Sequence, residues 1–306
     1  MPPMETRLIP TRGPRVALTV ACAIGGWSEA KLLAQEAGGA RPVARLLEAA
    51  IHHAREGVPV TNSQARLTKD GWPDLQGVAG FRENYAAGGP PAEGSILFQK
   101  KLAQSLQRIS DAGLDDFYRG DLARTLATGL EAADSPLRLH DLEKFQPKRV
   151  APAKARLRKT PLYNMPPPTQ GISSLMILKM FQALGVHQVE TFEHVQGLVE
   201  ATKRAFLIRN AHVVDPERMG DVWKSWLTDD MIAKEAAAIN MAKAAPCLPA
   251  ALPGDTIWMR AADRNGNVVS YIQSIFLGVR LRSRSAGNRH PLAEPRCQLH
   301  TSAWAK

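Results

Sequence analysis

Gly254-Asp255-Thr256-Ile257-Trp258-Met259-Arg260-Ala261-Ala262-Asp263-Arg264-Asn265-Gly266-Asn267-Val268-Val269-Ser270 is the stretch on which the reading of this chain turns. Two β-leaning runs, residues 256–262 and 268–276, flank the polar tetrad Asp263-Arg264-Asn265-Gly266. Asn-Gly tolerates positive φ at both positions and is a strong hairpin signal. The stretch therefore predicts an antiparallel hairpin that turns at residues 263–266. Pro253-Gly254-Asp255 ends whatever precedes it, which puts Thr256 at the mouth of the first strand, where it is accessible. On these features alone such a threonine is most often a strand residue without chemistry.

Working back from the hairpin, residues 246–253 read as an irregular loop. Helical patterning covers residues 192–209 and 229–243, and Thr228 is placed to cap the second of these. Residues 149–155 and 159–163 read as paired strands that lead into Asn164-Met165-Pro166-Pro167-Pro168-Thr169-Gln170-Gly171. Three prolines forbid a helix or a central strand there, so a stiff extended turn is expected before a buried helix at 172–184. Further back, Val43, Leu46, Leu47, Ala50, Ile51 and Ala54 fall on one stripe of a helix over 42–55, which Gly57 stops. Phe98, Leu102, Leu106 and Ile109 mark a second such helix. Helices are also expected at 122–132 and 139–145, a short strand at 16–21, and a turn into a helix at Ile24-Gly25-Gly26-Trp27. The Gly- and Pro-rich span 70–95 reads as a surface loop.

Composition sets wide bounds. The 306 residues are 44% hydrophobic and 22% charged, enough for one large domain or two small ones. No apolar run reaches the roughly 18 residues of a membrane span. The first residues carry no signal segment, so a cytoplasmic location is expected. Three scattered cysteines, Cys22, Cys247 and Cys297, fit a reducing compartment better than a disulfide framework. The net charge of +10 is a modest excess of 39 basic over 29 acidic residues, and it makes nucleic-acid binding a minor alternative. His52 and His53 are neighbours that point about 100° apart on a helix and cannot share a metal. Cys297-x-x-His300 offers two ligands, too few to assign a metal.

The wording of several segments goes further. Gly254-Asp255-Thr256, residues 262–270 and Ile272-Gln273-Ser274 resemble the start of the small subunit of gamma-glutamyltransferases, in the bacterial branch that shades into cephalosporin acylases. Asp116-Phe117-Tyr118-Arg119-Gly120-Asp121-Leu122-Ala123, the helix and exit at 50–60, the segment 139–145 and the Met-Pro-Pro-Pro turn at 165–168 are similar to other segments of that family, in the same order. The resemblance runs from about residue 13 to 278.

It implies an α/β fold of the N-terminal-nucleophile hydrolase class, an αββα four-layer sandwich, incomplete here. It also implies two regions, a large-subunit-like 1–255 and a small-subunit-like 256–306, separated by self-cleavage between Asp255 and Thr256. Thr256 is then the catalytic nucleophile. Ser274 aligns with a hydroxyl that hydrogen-bonds it, although the residue alone reads equally as a surface serine. His300 and Thr301 align with substrate-binding hydroxyls. The implied activity is transfer or hydrolysis of γ-glutamyl groups from a small glutathione-like substrate, with no cofactor, metal, nucleic acid or membrane partner. A glutaryl- or cephalosporin-acylase-like amidase and an inactive relative are the alternatives.

The chemistry explains the self-cleavage. A threonine hydroxyl needs a base, and scission before Thr256 frees an α-amine of reference pKa about 8 beside it. The family's Arg-Glu-x-x-Pro motif, which grips the substrate carboxylate, has no counterpart in this sequence, and neither has its Gly-Gly oxyanion hole. Losing one oxyanion donor typically costs about 10²–10³ in rate, so these 306 residues alone are expected to be slow or inactive. The last segment, residues 279–306, carries six basic residues against one acid and is expected to pack poorly.

Overall fold

The structure is a computed structural model that describes residues 18–78, 80–246, 256–274 and 300–303 of the chain. Its elements run α1 (Ala23–Glu36), α2 (Val43–Glu56), β1 (Val58–Pro59), α3 (Asn62–Leu75), α4 (Phe81–Tyr85), β2 (Ile96–Leu97), α5 (Lys100–Ala112), α6 (Asp116–Arg119), α7 (Asp121–Ala132) and α8 (Leu139–Lys144). After these come β3 (Ala153–Leu157), β4 (Thr160–Asn164), α9 (Gly171–Ala183), α10 (Phe192–His212), α11 (Pro216–Met219), a 3-10 turn at Val222–Leu227 and α12 (Asp229–Ala237). Strands β5 (Thr256–Ala262), β6 (Val268–Ser274) and β7 (His300–Ala303) close the list. The chain divides into two compact units, one drawn from Met1–Lys148 with Pro253–Lys306 and the other from Arg149–Leu252.

In the first unit α2 packs on α5. Leu47, Ile51, Leu106 and Ile109 are buried together with Ile24, Tyr118 and Leu122. The stripe read from the sequence is wider than the buried face, because Leu46 is 57% exposed. Leu47, Ile51 and Ala54, spaced four and three apart, are the positions that meet the partner helix. Gly57 ends α2 with φ 87°, and a Cβ there would sit 2.4 Å from Ile96 Cγ2. Glycine is thus required both by conformation and by the close approach of β2.

The segment Asp116–Ala123 owes its wording to Asp116, whose carboxylate accepts the N–H groups of Asp121 and Leu122 at 3.1 and 3.2 Å. That caps the start of α7 from outside the helix. Arg108 grips the same carboxylate from Nε and Nη2 at 2.8 and 2.9 Å. The guanidinium holds the Asp116 carboxyl below the usual carboxylate range. A Cβ at Gly120 would lie 1.9 Å from Asp116 Oδ1, so this turn closes only on glycine. Tyr118 then ties α1 in place. Its hydroxyl accepts from Gly25 N at 2.8 Å and donates to Ala21 O at 2.9 Å, while its ring stacks on Phe145.

In the second unit β3 and β4 form an antiparallel hairpin whose buried side, Ala153 and Ala155, packs on Leu175 of α9. Helix α10 presents Gly197, Ala201 and Ala205, each four residues on from the last, which is one narrow stripe of small side chains. Ala201 and Ala205 share a core with Ile172, Met176 and Met180 of α9, and with Trp226 and Ile232. The proline turn before α9 is stitched by Thr169, whose hydroxyl donates to Met165 O and accepts from Gly171 N.

Four expectations change. Residues 18–21 are not a strand, and Ile24-Gly25-Gly26-Trp27 lies inside α1 rather than before it. The expected loop at 70–95 contains the end of α3 and all of α4. Thr61 caps α3 by accepting Gln64 N, and Pro73 sits in the last turn, where only the carbonyl four residues earlier loses its partner. The helix expected at 229–243 stops at Ala237, after which Asn240 turns the chain by accepting Ala242 N and Lys243 N.

Candidate functional site

The hairpin that carries Thr256 is built from its tip outward. Asp263 N donates to Asn267 O at 3.0 Å, and Gly266 takes φ 83°. The Asp263 carboxylate accepts from Asn265 N, Asn267 N and Asn267 Nδ2, each at 2.9 Å. These donors, the Asn267 side chain first, hold its carboxyl below the ordinary carboxylate range. With the tip fixed, the register follows. Ala262 pairs with Val268, Trp258 with Ile272, and Thr256 with Ser274.

The two hydroxyl residues expected at the reaction centre are therefore cross-strand partners at the open end of β5 and β6. Strand β7 pairs with the other edge of β6, with His300 opposite Ile272 and Thr301 opposite Tyr271. His300 and Thr301 thus lie two strands, about 10 Å, from β5. Asp255, Phe276 and most of residues 279–306 lie outside the described residues, as does most of the loop expected at 246–253.

Sequence reasoning did not find the contact that steadies β6. Trp27 of α1 donates its indole N–H to the Tyr271 hydroxyl at 3.0 Å, and that hydroxyl donates to Gln273 Oε1 at 3.0 Å. The partners are 244 residues apart, and no local pattern announces the pair. Trp258 donates to Ser270 Oγ at 2.9 Å, and the Arg260 guanidinium lies 5.4 Å from the Trp258 ring centroid. Two surface hollows, of about 460 and 410 Å³, are lined wholly by second-unit residues and contain none of Thr256, Ser274, His300 or Thr301. Among the described residues no group of three or more His, Cys, Asp and Glu side chains could hold a metal, and no helix is long and apolar enough to cross a membrane.

Comparison with known proteins now bears on this geometry. The chain is 42% identical over 272 residues to an oxamate amidohydrolase proenzyme of Klebsiella pneumoniae, covering 88% of this chain and 52% of that protein. It is 32% identical to the glutathione hydrolase-like YwrD proenzyme of Bacillus subtilis, covering 88% and 51%. Among solved structures, the cephalosporin acylase of Bacillus halodurans superposes with a TM-score of 0.77 at 27% identity, over 89% of this chain and 51% of that one. The chain thus spans about half the length of the relatives it matches. The mixed helices and strands are those of the α/β N-terminal-nucleophile hydrolases. A family model for gamma-glutamyltranspeptidase matches residues 4–287. The chain belongs to the gamma-glutamyltranspeptidase family.

Proposed function

We propose that the protein is an amide hydrolase of the N-terminal-nucleophile class, made from a precursor by scission of the Asp255–Thr256 bond. In the precursor the Thr256 hydroxyl adds to the Asp255 carbonyl. The carbon–nitrogen bond breaks as the hydroxyl proton passes to nitrogen, leaving an ester. Water cleaves that ester into the Asp255 carboxylate and a Thr256 that bears a free amine and a free hydroxyl. In the mature enzyme the amine takes the hydroxyl proton, the oxygen adds to a substrate amide carbonyl, and the nitrogen leaves with the proton. Water then releases the acid.

The observation that carries this reading is the pairing of Thr256 with Ser274 at the open end of the β5–β6 hairpin. It gives the nucleophile a neighbouring hydroxyl position in a chain of this family. Membership of the family supports amide hydrolysis as a class, and the substrate is a finer matter. The 42% identical relative is named for oxamate, a primary amide next to a carboxylate. That favours a small carboxylate-bearing amide for this chain. γ-Glutamyl transfer or hydrolysis is the second reading, favoured by the family description and by the glutathione hydrolase-like relative.

The test is to express the protein from its full natural coding sequence and assay it beside Thr256→Ala. Ammonia release from oxamate and p-nitroaniline release from γ-glutamyl-p-nitroanilide are followed in parallel. The expected result is turnover of at least one substrate that falls about a thousandfold or more in the variant. The substrate with the higher kcat/KM decides between the two readings. Turnover that Thr256→Ala leaves unchanged rejects both.

A further inference from the structure

The two hollows of the second unit share a wall and differ in character. The first, of about 460 Å³, is lined by Arg156, Arg158 and Lys179, with Gln182, Thr228 and Asp229. The second, of about 410 Å³, is lined by the apolar side chains of Leu157, Leu162, Leu178, Phe181 and Val186. Arg158 and Gln182 line both, so a cationic hollow adjoins an apolar one.

Three cations meet one acid in the first hollow, Arg156, Arg158 and Lys179 against Asp229. Lys179 is the best fixed of them. Its side chain is 11% exposed, and Nζ donates to Leu227 O at 2.8 Å and to Asp229 Oδ1 at 2.7 Å. An ammonium carries three N–H groups, so one remains for a further acceptor. The Asp229 side chain is 96% exposed, which leaves the pair open to exchange with another carboxylate. Among the described residues no hydrogen bond or ion pair engages the Arg156 guanidinium. Arg158 is held against its backbone preference. It opens the two-residue turn between β3 and β4 with φ 48°, a left-handed position that such turns give to glycine or asparagine. Its Nη2 lies 3.1 Å from Nδ1 of His187, which lines the apolar hollow. An arginine kept at a left-handed position and aimed at no acid points to a use for its charge.

We propose that the adjoining hollows form a binding site for a small carboxylic acid with an apolar body. Arg156, Arg158 and the remaining N–H of Lys179 take the carboxylate, and Leu162, Leu178 and Phe181 take the body. A carboxylate matches the planar fork of a guanidinium. The excess of cations over Asp229 leaves the bound anion paired. The apolar hollow adds contact area that a bare anion does not use, which sets such an acid apart from acetate or phosphate. Both hollows are open to solvent, so an affinity near ~1 mM is expected. The site contains none of Thr256, Ser274, His300 or Thr301, and it does not depend on the hydrolase reading.

The test is isothermal titration calorimetry on protein made from the full natural coding sequence, with hexanoate, acetate and hexan-1-ol as probes. Hexanoate should bind about tenfold more tightly than either of the others, since it alone carries both a charged head and an apolar body. Arg156→Gln and Arg158→Gly should each weaken hexanoate binding about fivefold or more. Glycine suits the backbone at position 158, so Arg158→Gly should leave the thermal unfolding midpoint unchanged or raised. That separates a loss of binding from a loss of fold. Asp229→Asn removes the competing carboxylate and should tighten hexanoate binding about threefold. Hexanoate bound no better than acetate or hexan-1-ol overturns the site. Hexanoate binding that both arginine variants leave unchanged overturns it equally, because the acid then sits elsewhere on the protein.

Discussion

Helix α9 and the β5–β6 hairpin are both apolar by sequence, and the structure treats them oppositely. Ile172, Leu175, Met176 and Met180 of α9 are buried to within 2% of full burial. On the hairpin, Ile257, Trp258, Met259, Val268 and Val269 are all exposed. Strand β5 lacks the in-out alternation of a sheet with one wet face, since successive large apolar residues point to both sides. Its sequence is therefore that of a strand buried on both faces, and the described residues do not supply that cover. The difference teaches where stability resides. The second unit closes its own core with α9, α10 and α12, whereas the hairpin is held by its turn and by the Trp27–Tyr271 hydrogen bond.

The largest effect is expected in the closed core. Met180→Ala removes a side chain with no exposed surface and should cost about 2–4 kcal/mol in denaturant unfolding. Asp116→Ala comes next. It leaves Arg108 without its main partner and two N–H groups of α7 uncapped. About 2–3 kcal/mol is expected, below the roughly 3–5 kcal/mol of a fully buried pair because Arg108 is 43% exposed. The same carboxylate gives a pH dependence. Its folded pKa is depressed, so its contribution is present above the ordinary Asp range near 4 and is lost as pH falls through the lower folded value. Stability measured by denaturant unfolding should therefore fall more steeply for the parent than for Asp116→Ala as pH drops below about 4, so that the gap between the two narrows. The smallest effect is expected on the hairpin. Ile257 is 64% exposed, and Ile257→Ala should shift stability by under about 0.5 kcal/mol in the 306-residue chain. A loss there as large as that of Met180→Ala would break the contrast between the two regions.

How much of this was legible in the sequence varied with the range of the cause. The hairpin was readable because its turn is local: Asn-Gly at the tip and Asp263 bonding to its own neighbours fix the register. Helix α2 was readable from its stripe, but its buried width was not, because that depends on which face α5 covers. Helix α3 was hidden by Gly71 and Pro73, whose usual breaking effect is outweighed by the Thr61 cap and by burial of Thr68 and Gly71. At the candidate site, Thr256 and Ser274 stood out by resemblance. Trp27–Tyr271 did not, since it joins segments distant in sequence through side chains of ordinary type.

Intact-mass spectrometry and N-terminal sequencing of the protein from its full natural coding sequence, beside Thr256→Ala, test the central claim most directly. The account predicts two fragments in the parent, the second beginning at Thr256, and one uncut chain in the variant. A parent that stays whole while hydrolysing an amide substrate, with Thr256→Ala equally active, would contradict it.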